Sequence, residues 1–279
     1  SASASTHRTT GVVLDHGGYT KNDFRLNLDH RLRDDLRFSF SGFHMRSDLD
    51  DLPADIFEDL VMQAPDVNLL QPDPDGTKYI FAPDPIVSSR ESPLYALVVS
   101  DDVEERARTL GNVGLRYSPL HWVSVDGDLS YDRSDRNFDF HFPRGSKTFD
   151  QDMQSGYLRR ATGTTNTLNG SLSTNFLGAF GEVTARATLR ALMEREQNEF
   201  YEAEVGNLGV GGTPDLDIGG GIPLIGSTFA DIRSLGYFLI TGADWRGTYI
   251  ADAVIRRDGS SLFGPDDRWH TYYRASLAY

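Results

Sequence analysis

The feature that most constrains this chain is a period-two alternation of apolar and polar residues from end to end. Val123, Val125, Gly127, Leu129 and Tyr131 alternate with Ser124, Asp126, Asp128 and Ser130. Phe24, Leu26, Leu28 and Leu32 alternate with Asp23, Arg25, Asn27, Asp29 and Arg31. The same pattern runs through Leu36–Phe40, Leu168–Phe176 and Val183–Ala191. Successive side chains on a strand point to opposite faces, so each segment has one apolar and one polar face. Arg, Asp and Asn recur on the polar side, and that face must be wet. No run approaches the roughly 18 apolar residues of a membrane helix. The longest, Leu235-Gly-Tyr-Phe-Leu-Ile240, is strand-sized.

Further strands are expected at 105–117, 231–243, 247–257 and 269–279, with another near 2–13. That makes about ten strands, mostly of about 10 to 14 residues, against an ordinary mean of about five or six. A tilted transmembrane strand needs about 9 to 11 residues. Tight connections are expected at Arg33-Asp34-Asp35, Ser118-Pro119-Leu120, Leu177-Gly178-Ala179 and Asp244-Trp245-Arg246. They alternate with long segments at 49–103, 134–163, 194–230 and 258–268. In an antiparallel sheet successive connections fall at opposite ends, so one end carries only turns and the other only large loops. The pattern predicts an all-β, antiparallel transmembrane barrel segment with short periplasmic turns and long extracellular loops. Within 49–103 a helix is expected over Ala54 to Gln63, between Pro53 and Pro65, with Ile56, Phe57, Leu60 and Val61 on its apolar face. The alternation shows no domain boundary.

The 279 residues carry a net charge of −14, and acidic residues gather in the expected loops, as at Asp48 to Asp55. No basic stripe suited to nucleic acid stands out. The chain has no cysteine, which excludes a disulfide framework and a thiolate metal site. Mean hydropathy is −0.41. That value suits a barrel wall, because the apolar residues are interleaved with polar ones.

No catalytic, cofactor or metal site is expected. Asp126, Asp128 and Asp132 share one strand face, where paired carboxylates could do acid–base work, but a solvated polar face is the simpler account. Asp73 and Asp75 before Gly76 resemble part of a Ca²⁺ loop with Asp84 in the twelfth position; an acidic turn is favoured, as it is for Asp215 and Asp217 before Gly219-Gly220-Gly221. His7, His16, His30, His44, His121, His141 and His270 form no i, i+4 pair. Ser260 and Ser261 have no base nearby in sequence, and Gly206, Gly209, Gly211 and Gly212 lack the order and the Lys of a phosphate cradle. Trp122, Trp245 and Trp269 fall beside turns or loops, as interface anchors do; carbohydrate stacking is the rival role.

The segment Arg256-Arg-Asp-Gly-Ser-Ser-Leu-Phe-Gly-Pro-Asp-Asp-Arg-Trp269 resembles a hallmark of SusC/RagA-type TonB-linked outer-membrane proteins. In them a strand ends in a basic residue, then Asp-Gly-Ser-Ser, an aromatic-Gly pair and an Asn/Asp-Arg step into the next strand. Leu262 stands where a basic residue is common, and His270 near where a small one is. Gly111-Asn-Val-Gly-Leu-Arg-Tyr-Ser-Pro119 resembles the family's strand-turn-strand unit. The resemblance covers residues 247–279 closely and most of the rest loosely. It implies a 22-strand barrel with a plug, a TonB contact segment and a SusD-like surface lipoprotein, importing a glycan or peptide across the outer membrane without enzymatic chemistry. On that basis residues 1–279 are expected to be part of one TonB-dependent receptor-like barrel domain. The plug and the remaining strands would lie elsewhere, and the sheet would be open. The alternatives are a small self-contained barrel acting as pore or adhesin, and a soluble carbohydrate-binding β-sandwich.

Overall fold

A computed structural model describes residues 1–51, 55–84, 86 and 90–279. Among them ten strands form one antiparallel sheet in chain order: β1 (Ala2–Thr9), β2 (Tyr19–Arg33), β3 (Leu36–Asp50), β4 (Asp101–Leu120), β5 (Val123–Phe142), β6 (Tyr157–Phe180), β7 (Val183–Gly206), β8 (Leu224–Trp245), β9 (Tyr249–Ser260) and β10 (Trp269–Ala278). β1 and β10 are edges and share no ladder, so the sheet is open. Two short helices, α1 (Ile56–Val61) and α2 (Pro93–Val99), lie between β3 and β4, and a 3-10 turn, η1 (Leu216–Ile218), lies between β7 and β8.

Directly paired residues project to the same face, so the register tests whether the separate alternations agree. They do. Leu28 pairs with Phe40, Phe40 with Val113, Val113 with Leu129, and Leu129 with Gly170. Leu172 pairs with Ala191, Ala191 with Tyr237, Leu239 with Ile255, and Ile255 with Tyr273. One continuous face therefore carries the alternating apolar residues of the strands from β2 to β10, while Phe138, Phe200 and Phe238 project to the other. None of the described residues covers it: Leu129 is 49% exposed, Leu172 56% and Leu189 51%. A soluble monomer rarely leaves so wide an apolar surface open.

The strands are much longer than expected, with 24 residues in β6 and in β7. The expected loops 134–163 and 194–230 shrink to 143–156 and 207–223. The reason lies on the apolar face itself. Toward the loop end its alternation stops, because the residues there turn polar: Arg133, Asp135 and Asn137 on β5, Asn166 and Thr164 on β6, Arg195 and Gln197 on β7. The ladder continues although the pattern that announces it does not. Ion pairs replace apolar contact there, as in Arg46–Glu105 at 3.2 Å and Arg133–Asp135 at 2.8 Å.

Three expected turns are displaced toward the chain's end. β4 runs through Ser118-Pro119-Leu120, past a register shift between Tyr117 and Leu120, and the turn is His121-Trp122. β6 runs through Leu177-Gly178-Ala179, and the turn is Gly181-Glu182, with Gly181 at φ 62°. β8 includes Asp244 and Trp245, and the turn follows with Arg246 at φ 58° and Gly247 at 65°. Gly181 and Gly247 supply the positive φ that tight hairpin turns commonly use. The expected first strand, 2–13, ends at Thr9; Val13 is buried in the loop layer instead. In α1 only Ile56 is buried, while Phe57 (55% exposed) and Val61 (83%) face outward. Pro53 and Ala54 of the expected helix lie outside the described residues.

The lengths of the apolar stretches, such as Val123–Tyr131 on β5 and Leu235–Trp245 on β8, match the 9 to 11 residues of a tilted membrane strand. Leu239, central on β8, should then tolerate no charge. Leu239→Arg is expected to destabilise the full-length protein in bilayers by about 2–4 kcal/mol, and Ser171→Arg on the opposite face by less than about 1 kcal/mol. Equilibrium unfolding in lipid vesicles checks this, and equal costs would mean that the faces are misassigned.

Candidate functional site

Two regions carry the polar chemistry: the polar face of the sheet and a cap of loops at one end. On the polar face, charges of opposite sign are matched across neighbouring strands. Asp126 pairs with Arg116 at 3.1 Å and accepts from Asn175 Nδ2 at 2.9 Å. Asp132 accepts both nitrogens of a fork from Arg108. Asp126, Asp128 and Asp132 do share this face, as their alternation requires, but they stand opposite arginine, glycine and leucine rather than one another. Higher on β4, Glu104 is buried between Arg106 and Arg136. Burial pushes its carboxyl up, but the two guanidiniums outweigh this and hold it below the usual range.

A hollow of about 560 Å³ opens on this face. Ala161, Gly163 and Thr165 of β6 line it between Phe138 of β5 and Phe200 of β7, together with Arg136 and Arg159. Small side chains on the middle strand and rings on its neighbours make the depression. Arg159 lies over Phe138 at 5.6 Å and pairs with Glu202 at 2.8 Å. The alternation of polar residues gave no signal of this hollow, because Phe138 and Phe200 lie within the segments expected to be loops.

The cap joins four connections. Val13 from 10–18 packs with Tyr79 and Leu94, and Leu60, Leu69, Leu97 and Val98 surround them. Segment 143–156 is tied to it by Lys147, whose ammonium contacts Asp73 and lies 3.0 Å from Asp75. Lys147 N donates to Tyr95 Oη at 3.0 Å. Arg144 donates to Leu208 O at 2.8 Å, linking in 207–223, where Leu208 packs with Leu158, Val205 and Leu216. The Asp73-Pro-Asp75 turn is thus an acidic turn closed by a lysine, and Asp73 also accepts from the amides of Asp75 and Phe81. Asp84 caps the amide of Ile86 rather than joining it. Asp215 accepts from the amide of Asp217, and Gly219 lies against Val205 where a Cβ would clash.

The histidines are scattered. His44 bonds Thr109 at 2.9 Å, and His141 is buried 3.5 Å from Asp101. Among the described residues no cluster of three His, Asp or Glu side chains could hold a metal ion. His16 is buried 3.4 Å from Asp50 where 10–18 meets the ends of β3 and β4. Beside it Asp102 is pushed up to about 6, by burial and then by the charges of Asp51 and Asp50. One Asp102 oxygen and His16 Nε2 are buried without a hydrogen bond.

On the apolar face the tryptophans mark two levels. Near the turns Trp245 stacks on Tyr249 at 5.3 Å, Tyr249 meets Tyr279 at 5.0 Å, and Trp122 meets Phe176 at 6.3 Å. Near the loops Tyr237 stacks on Trp269 at 6.0 Å. Tyr237 and Trp245 are separated by roughly 27 Å along β8. Such paired aromatic levels flank the apolar band of membrane barrels.

The loop-side limit of the band can be followed strand by strand. The apolar run of this face, interrupted within the band by His30, Thr174 and Thr241, ends toward the loops at Asn22 on β2, His44 on β3, Thr109 on β4, Arg133 on β5 and Asn166 on β6. It ends at Arg195 on β7, Arg233 on β8, Arg257 on β9 and Thr271 on β10. Asn22 pairs with Arg46, two residues above His44, and Asn166 pairs with Gln197, two above Arg195. Leu235, two below Arg233, pairs with Gly259, two above Arg257. At the other steps the boundary residues face each other, as Thr109 faces Arg133 and Arg257 faces Thr271. The boundary therefore descends, always in one sense, by about one residue per strand. A rise of about 3.4 Å per strand spacing of about 4.8 Å is a tilt of roughly 35°, the value for strands in a membrane barrel.

The sheet superposes on solved structures of transporters. It matches the "RagAB peptide transporter" with a TM-score of 0.74 and 12% identity, over 93% of this chain and 30% of that one. It matches the "RagAB peptide importer" in its closed-closed state (TM-score 0.72, 13% identity, 93% and 30%) and its open-open state (0.71, 12%, 93% and 29%). This chain thus spans about 30% of the length of the chains it matches, and its fold is that of a stretch of a SusC/RagA-type barrel. No protein-family profile matches the chain, and no curated protein matches it in sequence.

Asp102 makes the cap sensitive to pH. Its folded-state value lies above the ordinary carboxylate value of 3.8, so its contribution to stability is full below about pH 4 and is lost as pH rises through about 6. Proteolysis within 10–18 and 51–100 should be slower at pH 5 than at pH 7.5. Asp102→Asn should slow it at pH 7.5 and flatten the dependence; an unchanged pH profile in that variant would exclude Asp102 as its source.

Proposed function

We propose that this sheet is a stretch of the wall of a large outer-membrane barrel, and that the full protein imports a bulky nutrient, a peptide rather than a glycan. The observation that carries the first part is the oblique apolar band. A continuous uncovered apolar face, about ten residues deep along each strand, bounded by aromatic pairs and tilted by roughly 35°, suits a lipid bilayer and no aqueous surroundings. The choice of peptide rests on the matched RagAB structures, described as a peptide transporter and importer.

In this reading residues 1–279 belong to one TonB-dependent receptor-like barrel domain. Further strands pair with β1 and β10, whose free backbone groups would otherwise face hydrocarbon at several kcal/mol each. A plug fills the interior, a SusD-like lipoprotein covers the loop end, and TonB acts from the turn end. The polar face then lines the lumen, and its matched charges position transported material without chemistry. A small self-contained barrel would need β1 and β10 to pair, and a β-sandwich would need a second sheet over the apolar face.

Two measurements test this. Protease added to intact cells should cut the full-length protein within 51–100, 143–156, 207–223 or 261–268, and not after Arg33 or Arg246. Cleavage at either turn would invert the topology. Cells lacking the protein should lose energy-dependent uptake of a labelled peptide mixture and keep that of labelled oligosaccharides. The reverse pattern would shift the substrate to glycans, and no change in either would remove the transport reading.

A further inference from the structure

The boundary residues of the apolar face change character across the wall. From β2 to β6 they are Asn22, His44, Thr109, Arg133 and Asn166; on β7, β8 and β9 three in succession are arginines, Arg195, Arg233 and Arg257. Their charge is not matched as it is elsewhere. Arg133 has its own carboxylate, Asp135, held by two hydrogen bonds at 2.8 and 2.9 Å. Arg195 and Arg233 instead share one carboxylate, Asp231, at 2.9 and 2.7 Å. Arg257 makes no ion pair among the described residues; its guanidinium lies over the Trp269 ring at 5.3 Å. The neighbouring Asp258 is on the other face, paired with Arg256. The next acid of the apolar face is Glu199, four residues farther up β7 and about 13 Å away along the strand. The three strands thus carry an excess of about two positive charges: Arg195 and Arg233 face each other, and Arg257 lies opposite Tyr237, four residues and about 13 Å lower along the strand.

Each arginine stands at the upper limit of its own strand's apolar run. Met193, Leu235 and Ile255 are immediately below the arginines, and the Tyr237–Trp269 stack lies beside Arg257. A guanidinium on the lipid side cannot enter hydrocarbon, and it extends toward the headgroups. An arginine fork matches a phosphate in charge and in geometry better than it matches any neutral headgroup. We infer that Arg195, Arg233 and Arg257 form a binding site for the phosphate groups of an anionic lipid headgroup in the leaflet on the loop side. The inference rests on the barrel reading, which puts this face in lipid. Trp269 holds Arg257 by cation–π contact, and Asp231 orients the other two forks while leaving donors free.

The test uses the full-length protein in an uncharged detergent. It is titrated with diphosphorylated lipid A, with the same lipid after removal of both phosphates, and with inorganic phosphate as competitor. Native mass spectrometry counts the bound lipid, and heat-modifiable migration reports the intact barrel. The diphosphorylated lipid should bind at least tenfold more tightly than the dephosphorylated one, and millimolar inorganic phosphate should not displace it. Combined Arg195→Gln, Arg233→Gln and Arg257→Gln should weaken binding at least tenfold, whereas Arg133→Gln should leave it unchanged. If the triple variant fails to fold, Arg257→Gln, which breaks no ion pair, should alone weaken binding about threefold. Wild-type affinity in these variants, equal binding of the dephosphorylated lipid, or displacement by inorganic phosphate would each overturn the site. Absence of heat-modifiable migration in the unaltered protein would instead strike at the barrel reading.

Discussion

The backbone hydrogen bond is the interaction on which the rest of this structure depends. A chain that crosses hydrocarbon must pair every N–H and C=O within itself, and a ladder of neighbouring strands does this for each strand that has two neighbours. Here eight of the ten strands have two, and β1 and β10 have one. The long uninterrupted registers of β5, β6, β7 and β8 follow, since any gap at membrane depth would leave polar groups without partners. Side chains then divide between the two faces because the pleat leaves no other choice.

In the barrel reading the tilt ties the faces to the membrane. If the strands stood upright, the polar limit of the apolar face would run straight along the hydrogen bonds. It descends instead, and the same descent carries the lower aromatic level from Trp122 and Phe176 to Trp245 and Tyr249. Neither feature depends on likeness to any other protein. Both come from where polarity changes along strands whose register is known, and they agree with the independent superposition on a transporter barrel.

Above the band the protein changes its means of holding strands together. Apolar contact gives way to charge pairs such as Arg46–Glu105, and then to loops packed on small cores around Tyr79 and Leu208. Exposed ion pairs are individually weak, about 0.2–1 kcal/mol, so this part relies on the ladder and on the joining of loops by Lys147 and Arg144. The cap is the part most open to conditions, as the buried carboxyl of Asp102 beside His16 illustrates.

Sequence alone determined a count of about ten strands, the apolar face of those with clear alternation, such as Phe24–Leu32 and Val123–Tyr131, and the segregation of turns and loops to opposite ends. Alternation and spacing are local properties, and a strand's two faces can be read without knowing its neighbours. The resemblance around Arg256–Trp269 named the barrel type that the superposition then matched. What sequence could not reach was nonlocal. The upper ends of β5 to β8 fall in segments whose sequence predicts loops, because polar residues there interrupt the alternation, and only pairing with a neighbour shows them to be strand. The hollow between Phe138 and Phe200, the shared carboxylate of Arg195 and Arg233, and the lysine closing Asp73 and Asp75 join residues far apart in the chain. The tilt is of the same kind: it exists only as a relation between strands, set when register aligns one boundary residue against the next.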